Sequence, residues 1–71
     1  MKTIFVFKVI NYLGFGEFVA ISAQSYDKAL YILNTSNKID PFKDFEYIGC
    51  HCYDQFNKEF NEALKKARYV A

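Results

Sequence analysis

The sequence predicts an α+β fold: a two-layer sandwich of a three-stranded antiparallel sheet, order 2-1-3, with two helices and the topology β-β-α-β-α. Three observations carry that expectation. Residues 3–10 are β-branched or aromatic at every position except Lys8, the composition of a strand covered on both faces. After this segment Gly14 and Gly16 stand two apart, which suits a hairpin turn with a positive φ. Two further segments, residues 26–33 and 56–67, repeat apolar residues at the three-and-four spacing of a helix that buries one side.

The elements follow in order. After the first strand, residues 11–16 form the hairpin loop. The second strand covers residues 17–23, with Glu17, Val19, Ile21 and Ala23 on one face and Phe18, Ala20 and Ser22 on the other; Val19 and Ile21 belong to the core. Ser25 is the N-cap of a helix that begins at Tyr26, since its hydroxyl can accept a bond from a free first-turn N–H, and Asp27 complements the helix dipole. Tyr26, Ala29, Leu30 and Leu33 face the sheet, with Lys28, Tyr31 and Ile32 toward the flanks. The polar run Asn34-Thr35-Ser36-Asn37 ends the helix. An irregular stretch then reaches Lys43, in which Pro41 holds Asp40 out of helical geometry and Ile39 and Phe42 tuck against the body.

A third strand is expected over residues 45–53, with Phe45, Tyr47, Gly49, His51 and Tyr53 on one side and Glu46, Ile48, Cys50 and Cys52 on the other; Gly49 marks a bulge or a close approach. Asp54 is the expected cap of the last helix, whose stripe is Phe56, Phe60, Ala63, Leu64 and Ala67. Its outer face carries Lys58, Glu59, Glu62, Lys65 and Lys66, with Glu62 and Lys66 four apart as a favourable pair. A hairpin makes the first two strands antiparallel, and the helical crossover returns the third strand in the direction of the second. Pairing with the free edge of the first strand then places that strand in the middle. The competing arrangement, with the third strand parallel beside the second, would leave a long apolar strand at an edge, where it invites aggregation.

A chain of 71 residues accommodates one domain, spanning residues 1–71. Such a chain buries only about 60% of its unfolded surface, so its eight Phe and six Tyr must supply much of the core. The formal net charge of +1 creates no strong field for nucleic acid and excludes the acidic shell of a DNA mimic. Arg68 is the only Arg among the basic residues, and with the frequent Asn, Ile, Phe and Tyr this points to an AT-rich coding sequence of the kind carried by phage and other mobile elements. Lys2 and the apolar residues 3–7 look like the start of a secretory signal. Lys8 and Asn11 interrupt it, the run is too short to span a membrane, and no small-residue cleavage site follows. The expected location is therefore cytoplasmic, with no membrane partner and with Cys50 and Cys52 as reduced thiols.

Cys50-His51-Cys52 is the one string that looks like a site. On an extended strand the two cysteines share a face with side chains roughly 6–7 Å apart, while His51 points away. That spacing disfavours a disulfide, which wants Cβ atoms about 3.8 Å apart, and separates the thiols from a histidine base. Metal binding through Cys50 and Cys52 would need two further ligands, from carboxylates such as Asp54 or from a second subunit; small thiols packed under a helix are the simpler reading. Gly14 and Gly16 lead into a strand rather than a helix, so turn geometry explains them without a phosphate site. Phe5, Phe7, Phe45 and Tyr47 could stack on single-stranded bases, yet Glu17, Asp44 and Glu46 lie among them, so nucleic acid is disfavoured and a core-facing cluster preferred.

No residue set demands catalysis or a cofactor. With both helices on one face of the sheet, the central strand presents a second apolar row to solvent. Lys8 assigns Ile4, Val6, Lys8 and Ile10 to that outer row and to an interface. A second copy of the chain, a host protein, or the last helix folded onto the opposite face would cover it. The expectation is a small, non-enzymatic protein-interaction module, homodimeric or bound to a protein partner, of the type that serves as a phage or mobile-element regulator or inhibitor. Single-stranded nucleic-acid binding through the sheet aromatics is the alternative, and metal binding at a dimer interface the second.

Overall fold

Backbone hydrogen bonding in the computed structural model, which describes residues Met1–Ala71, yields seven elements. They are β1 (Thr3–Asn11), β2 (Gly16–Ala23), α1 (Tyr26–Thr35), β3 (Phe42–Cys50), α2 (His51–Asp54), α3 (Lys58–Lys66) and β4 (Arg68–Tyr69). The class is α+β, with β1 between β2 and β3 and antiparallel to both. The sheet nevertheless has four strands, in the order β3-β1-β2-β4, where three were expected. β4 runs parallel to β2 and is extended by bonds from Val70 N–H to the Ala20 carbonyl (3.0 Å) and from Ser22 N–H to the Ala71 carbonyl (2.9 Å). Arg68 anchors this return through Glu17 (3.0 Å) and the Lys38 carbonyl (2.9 Å), and Val70 is buried.

The expected two-layer arrangement is also corrected, because the helices lie on opposite faces. Phe5, Phe7 and Val9 of β1, with Val19 and Ile21 of β2, form one core with Ala29 and Leu33 of α1. The alternate residue Val6 packs with Phe60 and Ala63 of α3 in a second, smaller core flanked by Ile4, Phe18, Ile48 and Leu64. Since successive strand residues point to opposite faces, the two clusters are two sides of one sheet. Ser25 caps α1 as expected, its hydroxyl accepting from Lys28 N–H at 3.2 Å. Ile39 closes the α1-side core beneath the irregular stretch.

The C-terminal third departs most from expectation. Strand β3 ends at Cys50, and His51, Cys52 and Tyr53 belong to the single turn α2. Tyr47 pairs with Phe7 while Gly49 pairs with Val6, so Ile48 is an extra residue that inverts the alternation and brings Cys50 opposite Phe5, onto the α1 side. Asp54 does not cap the last helix; Asn57 does, accepting from Phe60 N–H at 3.2 Å. Asp54 instead accepts from Cys50 N–H at 2.9 Å, which folds α2 back against the end of β3. The helix accordingly starts at Lys58, and Phe56 lies outside its stripe and is 93% exposed. The only ion pair joins Arg68 to Glu17, so Glu62 and Lys66 do not pair.

Candidate functional site

The outer row of β1 is reached first by α3. Val6 is fully buried beneath Phe60, and Ile4 is half-buried against the same cluster. Lys8 and Ile10, nearer the hairpin, are half-buried. Lys8 lies along Gly16 and Phe18, with its Nζ 5.8 Å from the Phe18 ring, so its aliphatic stem shields this part of the row. The cover that the sequence leaves open thus comes in part from the chain itself: α3 buries Val6 and packs against Ile4, while Ile4, Lys8 and Ile10 all stay half-buried.

At the opposite end of β3 the two cysteines converge. Their Sγ atoms are 2.8 Å apart, with Cys50 buried and Cys52 exposed, because Cys52 sits on the α2 turn rather than on a continuing strand. The separation expected from strand geometry is therefore corrected. The hydrogen bond shared with Cys50, then burial, push the Cys52 thiol above its ordinary range. Thr3 Oγ1 lies 3.9 Å from Cys50 Sγ. His51 points away from the thiols toward Phe60, with ring centroids 6.3 Å apart. No three His, Cys, Asp or Glu side chains are arranged to hold a metal ion.

A groove of about 430 Å³ opens beside the thiols, lined by Thr3, Phe5, Tyr26, Tyr47, Cys52 and Tyr53 among others. Tyr26 and Tyr47 meet edge to face at 5.0 Å over Phe7. Desolvation, assisted by Cys50 and Asp54, raises the Tyr47 phenol to about 12. Phe5 and Phe7 are buried under α1 and Phe45 is half-buried, which leaves Tyr47 as the exposed member of the expected base-stacking set.

The third feature is the β1–β2 turn. Asn11 organises it: its N–H donates to the Phe15 carbonyl (2.9 Å) and its carbonyl accepts from Gly14 N–H (3.0 Å). Its side-chain Oδ1 accepts from both Leu13 N–H (2.9 Å) and Phe15 N–H (3.0 Å). Gly14 adopts φ +92°, a conformation that other residues rarely take. From this fixed loop Tyr12, Leu13 and Phe15 project into solvent, 70%, 82% and 69% exposed. A shallow cleft at the base of the tip is lined by Phe15, Glu17, Ile39 and Asp40.

No family model, curated protein or solved structure matches this chain. The site must be read from its own chemistry. Gly14 and Gly16 specify the turn of residues 11–16 and do not by themselves mark its tip as functional. The signal was nevertheless present: loops of this size are ordinarily filled by Gly, Asn, Asp, Ser and Pro, and this one carries three large apolar side chains in four positions. The Cys50–Cys52 contact had no such signal, since it depends on where the strand stops.

Proposed function

We propose that this protein is a small non-catalytic interaction module that recognises a partner protein by seating the Tyr12-Leu13-Phe15 tip in an apolar pocket. The observation that carries this reading is the combination of three large, exposed apolar side chains with a loop already fixed by Asn11. Binding normally costs the ordering of a loop and its side chains, and a tip held in place by its own hydrogen bonds has much of that ordering before the partner arrives. A few buried aromatic or aliphatic anchors dominate most protein interfaces. Tyr31, Tyr53, Phe56 and Tyr69 are also exposed, and the tip differs from them in gathering three large apolar side chains within four consecutive residues. Asp40 at the base of the tip and Asp44 opposite Ile10 favour a partner with a basic rim over an anionic lipid surface.

A regulator or inhibitor that acts by occupying a partner's surface fits the size of the chain and its Lys-dominated basic residues. Self-association through Ile4, Val6, Lys8 and Ile10 is less needed than the sequence implied, because α3 covers Ile4 and Val6. Truncating one tip anchor is expected to cost about 2 kcal/mol, roughly 30-fold in Kd. The test is a quantitative affinity purification from the native host with the wild-type chain and a Leu13→Ser/Phe15→Ser variant of equal thermal stability. A protein enriched by the wild type and lost at least about tenfold with the variant supports the reading. Equal enrichment by both, or none by the wild type, rejects it.

A further inference from the structure

The thiol pair is not used by the hairpin tip and stands on separate observations. Cys50 and Cys52 are both free, their sulfurs are 2.8 Å apart, one is buried and the other is exposed at the mouth of an aromatic groove. The corner that brings them together is held by the bond from Cys50 N–H to Asp54 and by Gly49, where any Cβ would come within 2.7 Å of the Asp54 carboxylate. A sulfur–sulfur bond of about 2.05 Å therefore needs less than ~1 Å of approach from the 2.8 Å contact.

We propose that Cys50 and Cys52 form a redox-active dithiol, a thiol–disulfide exchange site that takes a small organic disulfide as its oxidant. Cys52, the exposed thiol, attacks through the minor fraction that is ionised, since its hydrogen bond with Cys50 holds it above the ordinary thiol range; a mixed disulfide forms and the first half of the small disulfide leaves as a thiol after taking up a proton. Cys50, already beside Cys52, then attacks the Cys52 sulfur and releases the second half. The dithiol gives up two electrons and two protons and becomes an intramolecular disulfide, while the small disulfide becomes two thiols. The groove lined by Phe5, Tyr26, Tyr47 and Tyr53 receives the organic part of the oxidant during the mixed-disulfide stage. Cys50, 2% exposed, cannot meet the oxidant first, so the order of attack is set by burial. In a reducing compartment such a pair cycles transiently and serves sensing or catalysis rather than structural stapling.

The test equilibrates the full reduced chain with mixtures of reduced and oxidised glutathione at defined ratios, followed by acid quench, intact-mass measurement and thiol counting. The folded wild type is expected to lose two hydrogens and both thiols with no mass added. Cys50→Ser is expected to hold one glutathione on Cys52, and Cys52→Ser to remain unmodified while folded. Because the fold supplies the proximity, the intramolecular disulfide should form at an oxidised-to-reduced ratio at least about tenfold lower in the folded chain than in the same chain in guanidinium. A persistent mixed disulfide on the wild type, disulfide-linked dimers, no reaction at any ratio, or equal ratios for folded and denatured chains would each overturn the proposal.

Discussion

Phe60 and Phe56 are the same residue type four positions apart, both on the apolar stripe read from the sequence, and the structure assigns them opposite fates. Phe60 is 1% exposed and is the largest member of the core beneath α3, which has only Val6 and Ala63 as further fully buried members. Phe56 is 93% exposed in the loop between α2 and α3. Truncation of a buried Phe to Ala costs about 3–5 kcal/mol, because transfer free energy is lost and so small a cluster cannot refill the cavity. A domain of 71 residues has about 4–11 kcal/mol of stability in total, at roughly 0.05–0.15 kcal/mol per residue. Phe60→Ala therefore removes about a quarter of it or more. The chain has no Trp, so urea unfolding is best followed by far-ultraviolet circular dichroism. With a slope near 1 kcal/mol per molar, the midpoint falls by roughly 3–5 M, or the variant is unfolded without denaturant. Phe56→Ala should stay within about 0.5 kcal/mol of the wild type. Phe60→Asp is more severe still and should leave no cooperative native state. A loss below about 1 kcal/mol for Phe60→Ala, or equal losses at both positions, would refute the placement of α3 on the second face.

Three further outcomes follow from the same geometry. Tyr47 should ionise near pH 12 in the folded chain against an ordinary value of 10, so ultraviolet titration should show one late tyrosine that Tyr47→Phe removes. Its neutral form is favoured by the fold, so the associated stability is fully present below pH 10 and is lost between pH 10 and 12; because Tyr47 is 42% exposed, solvent screening keeps the effect small. Gly49→Ala would place a methyl 2.7 Å from Asp54 Oδ2 and 3.0 Å from Phe60 Cδ1, so chemical denaturation should report a loss of about 1–3 kcal/mol. Gly14→Ala meets no neighbour and is opposed only by its φ of +92°, so the same assay should show a loss of about 1–2 kcal/mol from backbone strain alone.

The first half of the fold was legible because its signals are periodic. The β-branched and aromatic run of β1, interrupted only at Lys8, the turn at Gly14, the alternation along β2 and the Ser25 cap each correspond to a local physical rule, and each is found where that rule places it. The second half depends on single residues that act at a distance. Ile48 enters β3 as an extra residue and inverts the faces after it, which no count along the strand reveals without knowing the partner register. Asp54 is equally suited to a helix cap and to the Cys50 amide, and the choice ends β3 early, creates α2 and joins the thiols. An amphipathic stripe says that α3 has a sheet-facing side but not which face of the sheet it covers, so the second layer was misplaced. The two-residue β4 is too short for any period to announce it, and only Arg68, Val70 and the β2 edge define it.

The hairpin tip as the recognition element is tested most directly by site-specific photo-crosslinking in the native host, with benzoylphenylalanine placed at Leu13 and, separately, at Tyr31. Both positions are exposed, at 82% and 70%, but Tyr31 lies on the outer side of α1, far in sequence from the tip. A discrete protein adduct from position 13, absent from position 31, is the predicted result. No adduct from position 13, or the same adduct from both positions, would contradict it.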